Sequence, residues 1–396
     1  MSDSKSATDS PGILLVANYS NRTGYAWNNI HRLYERIALD CREHGLVPWV
    51  SFARFEPPLE LKHADVFEGV LELPPIPQGI PELRIWVQMI RRHRIRYLYL
   101  TDQGSWGFRY ALYRLAGVLG IIVHCRVSVA DPMPALPERG IRGMLKWLVY
   151  RIPYIQATRV YAVSQFVRNR LVVKAKVPSH RVVTILNGVD LERFAPSSAE
   201  NKKRFVQIFC GARASVYKGI GVLIESAALL RDKFGLTDFK VLYAGDGPDL
   251  EDFVALAKKL DLNAQVVFLG RVPSTESLVR ESDIVVVPSL WGDACPSAVS
   301  EALAAGKPLV ATRVGGVPEL VGYDGAAIMV DPGDLSQLAY NIANLIKNPA
   351  IRMNMGQKAR QHALKFLDER RYHREVVRQL LSDFNIKDYS LGEMFE

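Results

Sequence analysis

The chain has 396 residues, 48% hydrophobic and 23% charged, with 50 Lys and Arg against 41 Asp and Glu. That composition excludes disorder and collagen-like repeats, and no apolar run approaches the ~20 residues of a membrane-spanning helix. The +9 net charge is lopsided: residues 1–190 hold 25 basic and 15 acidic side chains, residues 191–396 hold 25 and 26. A basic first half points to an anionic partner for it, whether nucleic acid, a membrane surface or a phosphorylated substrate.

The polar opening MSDSKSATDSPG has no secretory pattern, and residues 1–11 read as a flexible tail. ILLVA (13–17) is then a buried strand, followed by a helix over about 24–44 that stops at Gly45 and a strand at VPWVSF. YLYLT (97–101), IIVHCRV (121–127), RVYAV (159–163) and VVTIL (182–186) are further strands, with helical patterns between most of them. Alternation of this kind builds a parallel sheet covered on both faces. The rhythm breaks at 187–203, which reads as a linker between a domain over 12–186 and a second over 204–368. In that second domain FVQIFC, KVLYA, VVFLG, IVVVP, PLVAT and AIMV restart the strands. Helices are expected over 334–347, 350–366 and 369–384. Two doubly wound units place a ligand cleft between the carboxyl ends of their sheets.

Two strand–loop–helix segments carry the chemistry. In IVVVPSLWGDACPSAVSEALAAGKPLVAT (284–312) a helix begins near Pro296, so the backbone N–H groups of Ser297, Ala298 and Val299 make an anion site. Asp293 and Glu301 bracket it, and carboxylates accept hydrogen bonds from sugar hydroxyls, so a phosphate flanked by two sugars suits the arrangement. The plainer alternative makes Asp293 a helix cap and Glu301 a solvated helix residue. In FCGARASVYKGIGVLIESAALL (209–230), Arg213 and Lys218 lie in a loop that starts at Gly211 and ends at Gly219. Two cations at a strand's carboxyl end suit a diphosphate, each charge-assisted bond contributing roughly 1.5–3 kcal/mol. The alternative is a pair of solvated loop cations.

With YAVSQFVRNRL (161–171), ILNGVDLERFAP (185–196), YAGDGPDLEDF (243–253), LGRV (269–272) and RVGGVPELV (313–321), these segments resemble the retaining GT-B nucleotide-sugar glycosyltransferases. The likeness covers most of 155–345. It implies two Rossmann-like domains and a hexosyl transfer from a nucleoside diphosphate sugar to an acceptor hydroxyl, with residues 369–396 returning to the first domain. By the same resemblance Arg213 and Lys218 bind the donor diphosphate, Glu301 binds the donor ribose, and Asp293 contacts the transferred sugar. At that last position the family has Glu, so the carboxylate here is one methylene shorter. Arg271 and Val272 are expected near the base. In the first half the likeness is looser: Gly24 matches a loop glycine, and either Arg126 or His124 takes the place of a family histidine near the donor sugar. These two share a strand face, and for His124 a packed core position is the alternative.

No Asp-x-Asp, HExxH or GxSxG is present, so leaving-group charge is expected to fall on Arg213, Lys218 and the helix end, without metal or other cofactor. Four cysteines without a CxxC pair (Cys41, Cys125, Cys210, Cys295) suit a reduced, cytoplasmic chain. The basic tracts 89–100 and 140–155 explain the asymmetric charge, the second with Trp147, Tyr150 and Tyr154 among Arg142, Lys146 and Arg151. It reads either as a segment lying on an anionic membrane or as an ordinary helix with a solvated basic face. The partners expected are a nucleotide-sugar donor and a glycan or lipid-linked acceptor, in polysaccharide or glycolipid assembly, and no nucleic acid. A non-catalytic sugar-nucleotide-binding scaffold and a sugar-nucleotide epimerase are the alternatives.

Overall fold

The computed structural model describes residues 10–21, 28–57, 64–126, 152–196 and 204–386. Gly24, the tail through residue 9, linker residues 197–203, residues 140–151 of the second basic tract and residues 387–396 lie outside them.

Two parallel sheets organise the chain. The first contains β1 (Gly12–Ser20), β2 (Val47–Arg54), β3 (Gly69–Val70), β4 (Ile95–Thr101), β5 (Gly120–Cys125), β6 (Arg159–Ala162) and β7 (Val182–Thr184), in the order β3-β2-β1-β4-β5-β6-β7. The second contains β8 (Val206–Gly211), β9 (Phe239–Ala244), β10 (Val266–Phe268), β11 (Ile284–Val287), β12 (Leu309–Thr312) and β13 (Ile328–Val330), in the order β10-β9-β8-β11-β12-β13. Central strands are apolar on both faces because helices cover both: Ile13–Ala17 and Ile284–Val287 are buried throughout. The two-residue β3, paired to Trp49 and Val50, is too short to show a pattern in sequence.

The helices of the first half are α1 (Asn28–Glu43), α2 (Ile80–Arg92), α3 (Phe108–Leu115) and α4 (Gln165–Asn169). Those of the second are α5 (Ile220–Asp232), α6 (Leu250–Lys259), α7 (Glu276–Glu281), α8 (Ser297–Ala304), α9 (Val317–Val321), α10 (Leu335–Lys347), α11 (Pro349–Phe366) and α12 (Glu369–Asp383). Side chains of β1 sort by parity: Ile13, Leu15 and Ala17 pack under α1 and α12, while Leu14 and Val16 pack under α2 and α3.

The last helix therefore belongs to the first sheet, since Tyr372, Val376 and Leu380 of α12 share a core with Leu33 and Tyr34 of α1. The chain crosses between the domains twice, side by side. Val189 N–H donates to Leu367 C=O at 2.8 Å, and Glu369 N–H donates to Val189 C=O at 3.1 Å. Arg32 of α1 then clasps both carboxylate oxygens of Glu369, at 2.9 and 2.7 Å. In each sheet the strand order reverses at one place, between β1 and β4 and between β8 and β11. Loops leaving those four strands define the crevices where ligands bind in such sheets.

Candidate active site

The loop after β8 owes its shape to its neighbours. Ala214 N–H donates to Asp246 C=O at 2.9 Å, and Val216 N–H to the Asp249 carboxylate at 2.7 Å, so the GDGPD segment braces the loop that carries Arg213. At its end Gly219 has φ +71, and a Cβ there would lie 1.9 Å from the Pro288 carbonyl oxygen. Only glycine lets the loop press against the end of β11, which brings Lys218 to the second loop.

That second loop, after β11, carries Asp293. It is held from behind by Gly315 and Gly316: Gly316 N–H donates to Asp293 C=O at 2.8 Å, and a Cβ on Gly315 (φ +56) would lie 1.9 Å from the same oxygen. The Asp293 carboxylate, 7% exposed, contacts the Lys218 ammonium and accepts from Ser289 Oγ at 3.4 Å. It is not a helix cap, because the N-cap of α8 is Pro296 and no side chain caps it. Nor is Glu301 a solvated helix residue: it is 4% exposed, on the inner face of α8, and accepts from Thr275 Oγ1 at 3.1 Å. First-turn N–H groups have no partner within their helix. Val299 departs from the expectation that it faces the site, since it is fully buried and its N–H turns back to Pro296 C=O at 3.1 Å. Ser297 and Ala298 remain at the cleft.

These pieces converge on one cavity of about 460 Å³. Gly211, Arg213, Lys218, Arg271, Val272, Asp293, Pro296, Ser297, Ala298 and Glu301 all line it, together with Thr275, Ser289 and Cys295. The Arg213 side chain is exposed. Burial pushes the Cys295 thiol up to about 12, against the lowering by a backbone hydrogen bond at Asn187 and by the charge of Arg126.

On the first domain the two competing residues separate. His124 is fully buried in β5, with Nδ1 2.5 Å from the Tyr99 hydroxyl and its ring edge-on to Tyr99 and Tyr161. Burial, then the charge of Arg126, hold its pKa well below the usual value, so it is a neutral core histidine that does not line the cavity. Arg126 lies just past the strand's end. Its N–H donates to Asp102 Oδ1 at 2.5 Å, and its guanidinium donates to the Tyr372 hydroxyl of α12 at 2.7 Å. Asp102, at the carboxyl end of β4, adopts φ +52 and also accepts from the Tyr19 hydroxyl, while Asn18 Nδ2 reaches the Asp102 carbonyl at 3.3 Å. Tyr19, near the carboxyl end of β1, and Asp102, just past β4, belong to the two strands at which the order of the first sheet reverses, and sequence reading passed over both. The Thr-Asp step after an apolar run was the available signal for Asp102. Tyr372 had none. Among the described residues, no group of three His, Cys, Asp or Glu could hold a metal ion.

Residues 38–193 match the family described as Glycosyltransferase Family 4, and residues 190–362 the family described as Glycosyl transferases group 1. The chain belongs to the group 1 glycosyltransferases. Relatives of this group 1 chain include a D-inositol 3-phosphate glycosyltransferase of Corynebacterium jeikeium, 34% identical over 45% of this chain and 46% of that protein. A 2-deoxystreptamine glucosyltransferase of Streptomyces kanamyceticus is 31% identical over 60% of this chain and 64% of its own. The chain thus spans less than two thirds of each. A glycosyltransferase of Rickettsia africae superposes with a TM-score of 0.75 at 18% identity, covering 95% of this chain and 99% of its own. Anabaena HepE in complex with UDP superposes at 0.72 with 20% identity, covering 94% and 100%. The fold is GT-B: two Rossmann-like domains facing across a cleft.

Proposed function

We propose that this group 1 chain transfers a hexosyl unit from a nucleoside diphosphate sugar to an acceptor hydroxyl. The observation that carries the reading is the single cavity joining two cations, a helix start and two buried carboxylates. Arg213, Lys218 and the N–H groups of Ser297 and Ala298 hold the diphosphate and stabilise charge on the departing phosphate. Glu301, aimed by Thr275, accepts from ribose hydroxyls, and Asp293 accepts from the transferred sugar. Backbone near Arg271 and Val272 faces the base. The UDP complex of HepE, a neighbour in fold, supports a uridine donor as the first to try.

Protein charges sit where a divalent ion otherwise neutralises a diphosphate, so turnover is proposed to proceed without metal. Retention of configuration accords with a cavity whose buried carboxylates, among the described residues, are engaged by Lys218 and Thr275: the departing phosphate takes the acceptor proton, and the protein positions and stabilises charge. The acceptor belongs on the first domain near Arg126 and Asp102, and the basic character of that half favours anionic or lipid-linked acceptors of glycolipid or polysaccharide assembly. Thermal-shift screening of UDP-, GDP- and ADP-sugars tests the reading, because a bound donor raises apparent stability by mass action. The right donor must raise the melting temperature of the parent chain and not of Arg213→Ala. A full loss of turnover in EDTA would refute metal independence.

A further inference from the structure

One side of the first domain carries large apolar side chains in the open. Phe108, Leu112 and Leu115 recur at i, i+4 and i+7 on α3 and are 66%, 39% and 74% exposed, while Tyr110 and Tyr113 fill the buried face. Leu119, Ile152 and Tyr154 prolong this ridge and are exposed as well. The ridge follows β4 in the chain and ends at the turn before β5, at the amino edge of the sheet.

There it meets a second cavity, of about 720 Å³, lined by Leu119 and Tyr154 and by Arg114, Arg159, Arg181 and His180. Among the described residues Asp383 is the one carboxylate in the lining. Its oxygens are taken by Arg159 Nε at 2.8 Å and the Tyr161 hydroxyl at 2.9 Å. Arg114 is aimed by the carbonyls of Tyr154 and Gln156, each at 2.7 Å, and Arg181 by that of Ala157 at 3.2 Å. Carbonyls orient guanidiniums but do not neutralise them, so three cations share one anion. Burial first, then the neighbouring guanidinium, lowers the pKa of both Arg114 and Arg181. Beside the same turn Arg96 donates to Gly117 C=O at 2.8 Å and extends the positive edge.

We propose that this face docks on an anionic bilayer, the α3 ridge entering the interface and the arginine cavity taking a lipid phosphate. An apolar ridge alone would suit a protein partner equally. Its continuity with an under-neutralised arginine cluster selects a surface that offers hydrocarbon and phosphate side by side. The proposal deepens the lipid-linked acceptor part of the proposed function but needs none of its sugar chemistry.

Flotation of the full chain with phosphatidylcholine vesicles, with and without phosphatidylglycerol, tests it. Binding is expected to the anionic vesicles alone and to fall with added salt. Replacing Leu115 and Leu119 together by Ser should weaken it at least about tenfold, and Arg181→Gln about fivefold. Both variants should keep the parent's thermal shift with UDP, which shows them folded. Should Arg181→Gln misfold, the exposed leucine pair still carries the test. Arg213→Ala should lose UDP binding and keep vesicle binding, so the donor reading and the docking face fail separately. Equal binding to neutral vesicles, no binding, or variants that bind like the parent each overturn the proposal. So does stabilisation by inorganic phosphate without vesicle binding, or self-association removed by the leucine changes without vesicle binding.

Discussion

Lys218 and Asp293 form an ion pair between the loops that leave the two central strands of the second sheet, β8 and β11. Both side chains are largely buried, so neither charge is well served by solvent. Within the proposed mechanism Lys218 serves two anions, Asp293 and the diphosphate. Asp293→Asn removes the protein's claim on Lys218 while keeping the side-chain shape. UDP should then bind at least as tightly as to the parent by titration calorimetry, while transfer falls by about a hundredfold or more. Lys218→Met should behave in the opposite way. It strands a buried carboxylate, which costs about 3–5 kcal/mol in urea unfolding.

Glu301 can be tested apart from the proposed diphosphate site. Its carboxylate is fixed by Thr275 on the inner face of α8, and its proposed partner is the ribose. Glu301→Gln should weaken UDP by roughly 1.5–3 kcal/mol, about ten- to a hundredfold, and leave inorganic pyrophosphate binding nearly unchanged. An equal loss for both ligands in calorimetry would move Glu301 to the phosphates.

Ease of reading followed burial and local spacing. Ile13–Ala17 and Ile284–Val287 announce themselves because strands covered on both faces need unbroken apolar runs. Arg213, Lys218 and Asp293 could be picked out because each sits a few residues beyond such a run, on a loop, and Glu301 because it lies one turn into the helix that follows. What stayed hidden depends on long-range contacts. Strand alternation put His124 and Arg126 on one face, yet alternation holds only inside a strand, and β5 ends at Cys125. Beyond that point Arg126 follows its partners, Asp102 and the distant Tyr372, whereas His124 stays in the core with Tyr99. The role of RVGGVPELV is likewise invisible locally, because its two glycines exist for the backbone of Asp293.

Acid should loosen the first domain. His31 on α1 is lowered to about 4 by burial, and His373 on α12 to about 3 by burial and then by Arg32, Arg126 and Arg36. Both are neutral in the native state, whereas in the unfolded chain they take protons near 6.5. Between those values the unfolded state binds more protons, so the stability held above pH 6.5 is lost as pH falls toward 4. At pH 5 each contributes a loss of roughly 2 kcal/mol at about 1.4 kcal/mol per pH unit. Urea unfolding at pH 7 and pH 5 should show this loss, and His31→Gln with His373→Gln should remove most of the difference. An unchanged difference in that double variant would assign the acid sensitivity elsewhere.

Glu319, in α9, closes the first domain onto the second. Its carboxylate accepts the N–H groups of Gln165 at 2.5 Å and Phe166 at 2.8 Å, at the start of α4, while Ser164 Oγ accepts from Val167 N–H at 3.3 Å. Two of the orphan donors of α4 are therefore satisfied by the other domain. Glu319→Ala should cost about 1–3 kcal/mol and speed hydrogen exchange at the amides of Gln165 and Phe166. The proposed donor cavity is lined by residues of the second domain, so UDP affinity should stay within about twofold of the parent, inside the few tenths of a kcal/mol typical of independent sites. Turnover should fall further, because the proposed acceptor side at Arg126 and Asp102 must meet that cavity across the cleft. The competing outcome is informative: if UDP affinity drops as much as turnover, Glu319 acts through Gly316 on the backbone of Asp293, and the contact shapes the donor loop more than it pairs the domains.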